Sequence, residues 1–167
     1  MLKPGTIVRQ KEVFINNMLE KENSRRLSVV LFSDTVDGEN LVCTCPITSN
    51  VNNIKKNPQN YCQIPYMVFD ATKLGIVRVS DLAFWKEDSV HSVRLSIALK
   101  DLSKIYSSVL NYEPSTRVDQ FNLAQSYISE IDIEAQIKDE LEKSIIERKG
   151  KGKVKKRFAG GGRMVYE

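Results

Sequence analysis

Residues 27–49 read LSVVLFSDTVDGENLVCTCPITS, and the fold turns on this stretch. The segment 27–32 is a β-branched, apolar run of strand length. Asp37-Gly38 follows, a strong signal for a two-residue hairpin turn, because both residues tolerate positive φ. The partner strand is 41–47. Strand alternation puts Leu41, Cys43, Cys45 and Ile47 on one face, and Val42, Thr44, Pro46 and Thr48 on the other. Pro46 has no N–H to donate to a ladder, so the strand frays or reaches an edge there. Thr48-Ser49 therefore sits where strand becomes loop.

Outward from this hairpin, 5–9 (GTIVR) reads as a short first strand. Residues 11–26 are polar with scattered apolar positions and read as a helical loop or a lid. Residues 49–60 form a polar loop that carries Lys55-Lys56. Two further strands are expected at 61–68 (YCQIPYMV) and 74–82 (LGIVRVSDL). Residues 96–112 carry Ile97, Leu99, Leu102, Ile105, Val109 and Leu110 at helical spacing, which predicts an amphipathic helix. Short strands followed by one helix predict a mainly β protein with helices, a small barrel closed by a helix.

Composition changes after Pro114. Residues 118–131 are compatible with a helix. Ile133, Ile137, Leu141 and Ile145 then recur every four residues, with Asp132 as a candidate cap. Gly150 and Gly152 are expected to end that helix. The expected division is a barrel at 1–112, a helical extension at 113–149 and a basic tail at 150–167. The extension is open to three readings: docking on the barrel, pairing with itself in a dimer, or binding another protein.

The whole chain has 167 residues, 41% hydrophobic and 28% charged, the balance of a soluble globular protein. No apolar run approaches the ~20 residues that span a bilayer. The opening residues lack the apolar stretch of a signal peptide, so a cytoplasmic location without membrane contact is expected. Eight of the 25 Lys and Arg, but one of the 21 acids, lie in 148–167, leaving the first 147 residues near −3 and the tail near +7. Such a basic block is either a solvated tail or a grip on nucleic-acid phosphates, with Lys155, Lys156 and Arg157 as candidates. Cys43, Cys45 and Cys62 are too few and wrongly spaced for a disulfide framework or a four-ligand zinc site. They read as small buried hydrophobes, and no metal or cofactor is expected.

Four motifs recur in order. Pro4-Gly5-Thr6-Ile7-Val8 opens the chain. Arg25-Arg26 precedes the strand 27–32 and Ser33-Asp34. Cys45-Pro46-Ile47-Thr48-Ser49 closes the hairpin. Gly75-Ile76-Val77-Arg78-Val79-Ser80-Asp81-Leu82 follows. Together they resemble the MazF/PemK (Kid-like) family of toxin endoribonucleases over about residues 3–112. The resemblance implies an SH3-like (CcdB/MazF-type) barrel with a C-terminal helix. It also implies a homodimer that binds single-stranded RNA along its interface and is held inactive by a cognate antitoxin protein. The implied activity is metal-independent cleavage that leaves a 2′,3′-cyclic phosphate and a 5′-hydroxyl.

That chemistry needs a group to accept the proton of the attacking 2′-hydroxyl and donors for the charge gathering on phosphate. Arginine supplies a planar, permanently charged fork. The resemblance assigns Arg26 and Arg78 to the phosphate and Thr48 and Ser49 as nearby donors. The Kid-like branch places its carboxylate two residues after the strand arginine. Here that position is Ser80, and the carboxylate follows at Asp81; Glu22 is a fallback base. Lys55 and Lys56 are candidate RNA contacts, and Trp85 and Phe84 are base-stacking candidates unless they serve as core aromatics. His91 has no partner signature. A binding module that has kept the fold and lost the base is the alternative function. A gyrase-directed toxin on the same fold is a third.

Overall fold

A computed structural model describes residues 1–10, 27–48, 54–64 and 75–158, with side chains through 149. The expectations for 11–26, including Glu22 and Arg26, and for Ser49 lie outside the described residues.

Seven strands form an antiparallel sheet among the described residues. They are β1 (Thr6–Gln10), β2 (Leu27–Val36), β3 (Glu39–Thr48), β4 (Tyr61–Ile64), β5 (Gly75–Arg78), β6 (Ala83–Lys86) and β7 (Val90–Ser96). The order is β4-β5-β3-β2-β1-β7, with β6 also paired to β3. β5 pairs with the end of β3 at Ile47 and Thr48, and β6 with its start at Leu41–Thr44. One edge of β3 thus holds two short strands in succession. The β2–β3 hairpin closes at Val36 opposite Glu39. Asp37 and Gly38 make its turn with φ of 51° and 78°. This is the left-handed pair that a two-residue turn between twisted strands requires.

Both faces of the sheet are covered. Val8, Val30, Val42 and Val90 pack together on one side, with Leu2 and Trp85 against them. The other side receives helices α1 (Leu99–Leu110) and α2 (Val118–Ser129). α1 buries Leu102, Ile105, Tyr106 and Val109, and α2 buries Phe121, Ala124 and Ile128. Polar groups on the helices satisfy backbone carbonyls. Tyr106 donates its hydroxyl to Leu31 O at 2.5 Å, and Tyr127 to Ser33 O at 3.2 Å. The Tyr127 ring stacks on Phe32 with centroids 4.0 Å apart. The Gln125 amide donates to Val109 O at 2.9 Å and Tyr112 O at 2.8 Å. Carbonyls at the end of α1 have no partner within that helix, and Gln125 supplies one.

Cys43, Cys45 and Cys62 are free and buried. Burial raises all three thiols, Cys43 and Cys45 well above their ordinary range. They fill strand positions as small hydrophobes. Among the described residues, no three His, Cys, Asp or Glu side chains are grouped so as to hold a metal ion.

Several elements differ from the sequence reading. The strand expected at 74–82 ends at Arg78 and passes into a 3-10 turn, Val79–Asp81. β6 and β7 emerge from a stretch with no clean alternation. The chain divides into compact units at Met1–Ile131 and Asp132–Glu167, and α2 falls in the first. The last helix, α3 (Ile133–Phe158), runs through Gly150 and Gly152 instead of ending there. Each glycine costs a helix about 1 kcal/mol relative to alanine, a penalty the helix-forming lysines around them offset only in part. Among the described residues, no helix is long and apolar enough to cross a membrane.

Candidate functional site

The proline-containing end of β3 and the arginine of β5 meet through strand register. Thr48 lies opposite Ile76, and Ile47 opposite Val77. Residues two apart on β5 share a face, so Arg78 is the diagonal neighbour of Thr48 on the same face. Such neighbours lie about 7–8 Å apart, within reach of a long side chain. On the other side of β5, Arg78 pairs with Tyr61 of β4. Its guanidinium carbon is 5.9 Å from the Tyr61 ring centroid, at the outer limit of a cation–π contact. Ser108 of α1 hydrogen-bonds Cys62, so α1 packs on the face opposite Tyr61 and Arg78.

The carboxylate arrives by a local device. In a continuous strand, Asp81 would point away from Arg78, being an odd number of residues along. The 3-10 turn breaks that alternation and returns residue i+3 over residue i. Arg78 Nε and Asp81 Oδ2 are 3.3 Å apart as a result. Ser80 occupies the expected carboxylate position. Its hydroxyl oxygen is buried and makes no hydrogen bond, so that position faces protein. Arg78 Nε is also buried and makes no hydrogen bond, despite its proximity to Asp81. The pair is misaligned and more than a third of each side chain is exposed. Exposed pairs of this kind contribute about 0.2–1 kcal/mol. An incoming phosphate can therefore displace Asp81 from Arg78 at small cost.

Arg117, which the sequence reading did not single out, fixes the turn. Its guanidinium donates from Nη1 to Leu82 O at 2.7 Å and from Nη2 to Ser80 O at 3.0 Å. It also lies 5.7 Å from the Phe121 ring centroid. The Arg117 backbone is left-handed, with φ of 51°. Its partners are backbone carbonyls, which leave no mark in a sequence. Tyr61 was legible only as the first residue of a strand.

The remaining candidates fall elsewhere. Lys55 and Lys56 are exposed on a turn that leads through the 3-10 segment Pro58–Asn60 into β4. Trp85 lies opposite Val42 and packs against the valine cluster, which is the core-aromatic outcome. Phe84 stands edge-on to Phe32, also as a core aromatic. His91 is exposed on β7, opposite Arg9. Lys155, Lys156 and Arg157 fall within α3, in the second unit. Of the expected site, the structure brings together Thr48, Arg78 and Asp81.

No family model matches the chain, and no curated protein matches it.

Proposed function

We propose that the chain is a toxin-like endoribonuclease of MazF/PemK type, cleaving single-stranded RNA by metal-independent transesterification under the control of an antitoxin. The observation that carries this reading is the return of Asp81 to Arg78 by the 3-10 turn. A sequence that had lost the family carboxylate at position 80 regains one beside the strand arginine.

In this reading Arg78 holds the scissile phosphate, and Thr48 adds a donor from the neighbouring strand. Arg26 and Ser49 complete the cradle by resemblance. Phosphate takes over the guanidinium and frees Asp81. Asp81 then accepts the 2′-hydroxyl proton as the 2′-oxygen attacks phosphorus. The bond to the 5′-oxygen breaks, and that oxygen leaves as a hydroxyl after taking up a proton. Tyr61 offers a ring on which an adjacent base can stack. Substrate is single-stranded because an unstacked base and a free 2′-hydroxyl must both be reached. The SH3-like barrel, the dimer and the cytoplasmic setting belong to the same proposal.

A second reading has its own support. Asp81 is engaged with Arg78, so the same groups also suit a binding module without catalysis. Incubating the purified chain with single-stranded RNA in EDTA and mapping the ends separates the two. Cleavage that is lost in Arg78→Ala and kept in His91→Ala supports the nuclease. RNA binding without cleavage, lost in Arg78→Ala, supports the module.

A further inference from the structure

Asp81 owes its place to a short turn that has little of its own to hold it. Val79–Asp81 is a single turn of 3-10 helix with no side-chain cap at its start. Leu82 N–H closes it on Val79 O at 3.2 Å. Hydrogen-bond geometry in such turns is poorer than in an α-helix. The carbonyls of Ser80 and Leu82 lie on either side of Asp81. Both accept hydrogen bonds from one guanidinium, that of Arg117, at 3.0 Å and 2.7 Å. A planar fork of donors on two carbonyls fixes direction as well as distance. The backbone that carries the Asp81 carboxylate is thereby held at both of its neighbours.

The needs of α2 do not explain Arg117. It is the N-cap residue of that helix, a position that Ser, Thr, Asp or Asn fills best. Ser115 and Thr116 stand just before it. Arginine takes the position instead, makes no side-chain cap bond, and adopts a left-handed backbone with φ of 51° and ψ of 39°. A residue other than glycine keeps such a conformation where its surroundings enforce it. Phe121 N–H donates to Arg117 O at 3.2 Å, and the buried Phe121 ring stands 5.7 Å from the guanidinium. Tyr112 packs on Phe121 with ring centroids 5.0 Å apart. The helix thus forgoes a cap and carries strain, while the guanidinium, seated beside a fixed ring, reaches the turn. A clamp on the turn accounts for both features.

We propose that Arg117 is a positioning residue for RNA cleavage: by clamping the carbonyls of Ser80 and Leu82 it holds Asp81 beside Arg78, where Asp81 accepts the 2′-hydroxyl proton once phosphate has taken the guanidinium. The inference rests on the nuclease reading for its chemistry and on the clamp for its geometry. Arg117 touches no substrate in this scheme and acts through Asp81. With the clamp released, 78–82 is free to run on as a strand, and a carboxylate three residues beyond Arg78 then turns to the other face.

The test measures single-turnover cleavage and affinity for a single-stranded oligoribonucleotide, on the full chain, at a temperature where circular dichroism shows every variant folded. Arg117→Lys keeps the charge and loses the fork; Arg117→Ala loses both. Each should slow cleavage about tenfold or more, within the 10²–10⁴-fold that a general base supplies, and leave RNA affinity unchanged. Methylguanidinium at millimolar concentration should speed Arg117→Ala and not the wild type. Arg117→Ala/Asp81→Asn should cleave no slower than Asp81→Asn, because the group through which Arg117 acts is already gone. The Arg78 Nε–Hε resonance, with the carboxylate 3.3 Å away, reports on the contact without any reaction and should move in Arg117→Ala as it does in Asp81→Asn. A wild type that leaves RNA whole overturns the nuclease reading and this role together. A wild type that cuts RNA overturns the role alone if Arg117→Ala cuts as fast, or if the two substitutions multiply. An Arg78 resonance unmoved in Arg117→Ala overturns the clamp whatever the activity.

Discussion

Arg78 is the residue on which the proposed chemistry rests, and its surroundings suit that role. A fully buried, well-aligned ion pair would hold Asp81 permanently. The pair here is more than a third exposed and its Nε makes no hydrogen bond, which in the proposed reaction lets phosphate take the place of Asp81. General-base catalysis contributes about 10²–10⁴-fold. Asp81→Asn should therefore keep RNA affinity and lower the single-turnover cleavage rate by about 10²-fold or more, whereas Arg78→Ala should lower both. The buried thiols are legible at the same scale, because alternation in CTC places Cys43 and Cys45 on one face. Their pKa values are raised by burial, and Asp81 and Cys62 add to the rise at Cys45. A group with a raised folded-state pKa stabilises the fold fully below its unfolded value and loses that contribution as pH rises. Thermal stability should then fall as pH climbs past the unfolded thiol value of about 8.5. Cys45→Ala should flatten that decline when melting is followed from pH 7 to 10, although its melting point at pH 7 is lower for lost packing.

Among the elements, the β2–β3 hairpin was the easiest to read. Its turn chemistry sets the register from Val36 opposite Glu39 to Phe32 opposite Cys43, and a one-residue shift between Val30 and Phe32, which alternation does not reveal, resets it beyond. Gly38 sits at φ +78°, where a side chain is strained. Gly38→Ala should lower stability by about 1 kcal/mol in urea titration, through backbone strain alone, since nothing stands within 4 Å of an added Cβ. The 3-10 turn was not legible. Val77, Arg78, Val79 and Ser80 alternate as a strand does, and the break depends on Arg117, far off in sequence. Two predictions separate the roles of Arg117. Arg117→Ala loses both hydrogen bonds and keeps a left-handed residue, at a cost of about 2–3 kcal/mol. Arg117→Gly loses the same bonds without the strain, and should be about 1 kcal/mol less costly. Hydrogen exchange at 79–82 should quicken in both. Helix α3 was half legible: its stripe marked the start, and its glycines misplaced the end.

At the scale of the molecule, the mainly β class and the order of most elements followed from patterning. β6 and β7 escaped because 83–96 mixes polar and apolar residues without a clean period. The helix-covered sheet is the scaffold that sets Thr48, Arg78 and Asp81 at one strand end, and the second unit adds charge and an exposed apolar row. The central claim is that this strand end cuts RNA with the RNA's own 2′-hydroxyl, and product ends report on that claim most directly. A single-stranded oligoribonucleotide cut in EDTA should yield a 2′,3′-cyclic phosphate and a 5′-hydroxyl. The same oligomer with a 2′-deoxy nucleotide at the mapped cleavage site should stay whole. Cleavage of the deoxy oligomer at that site, or products ending in 5′-phosphate, would contradict the account.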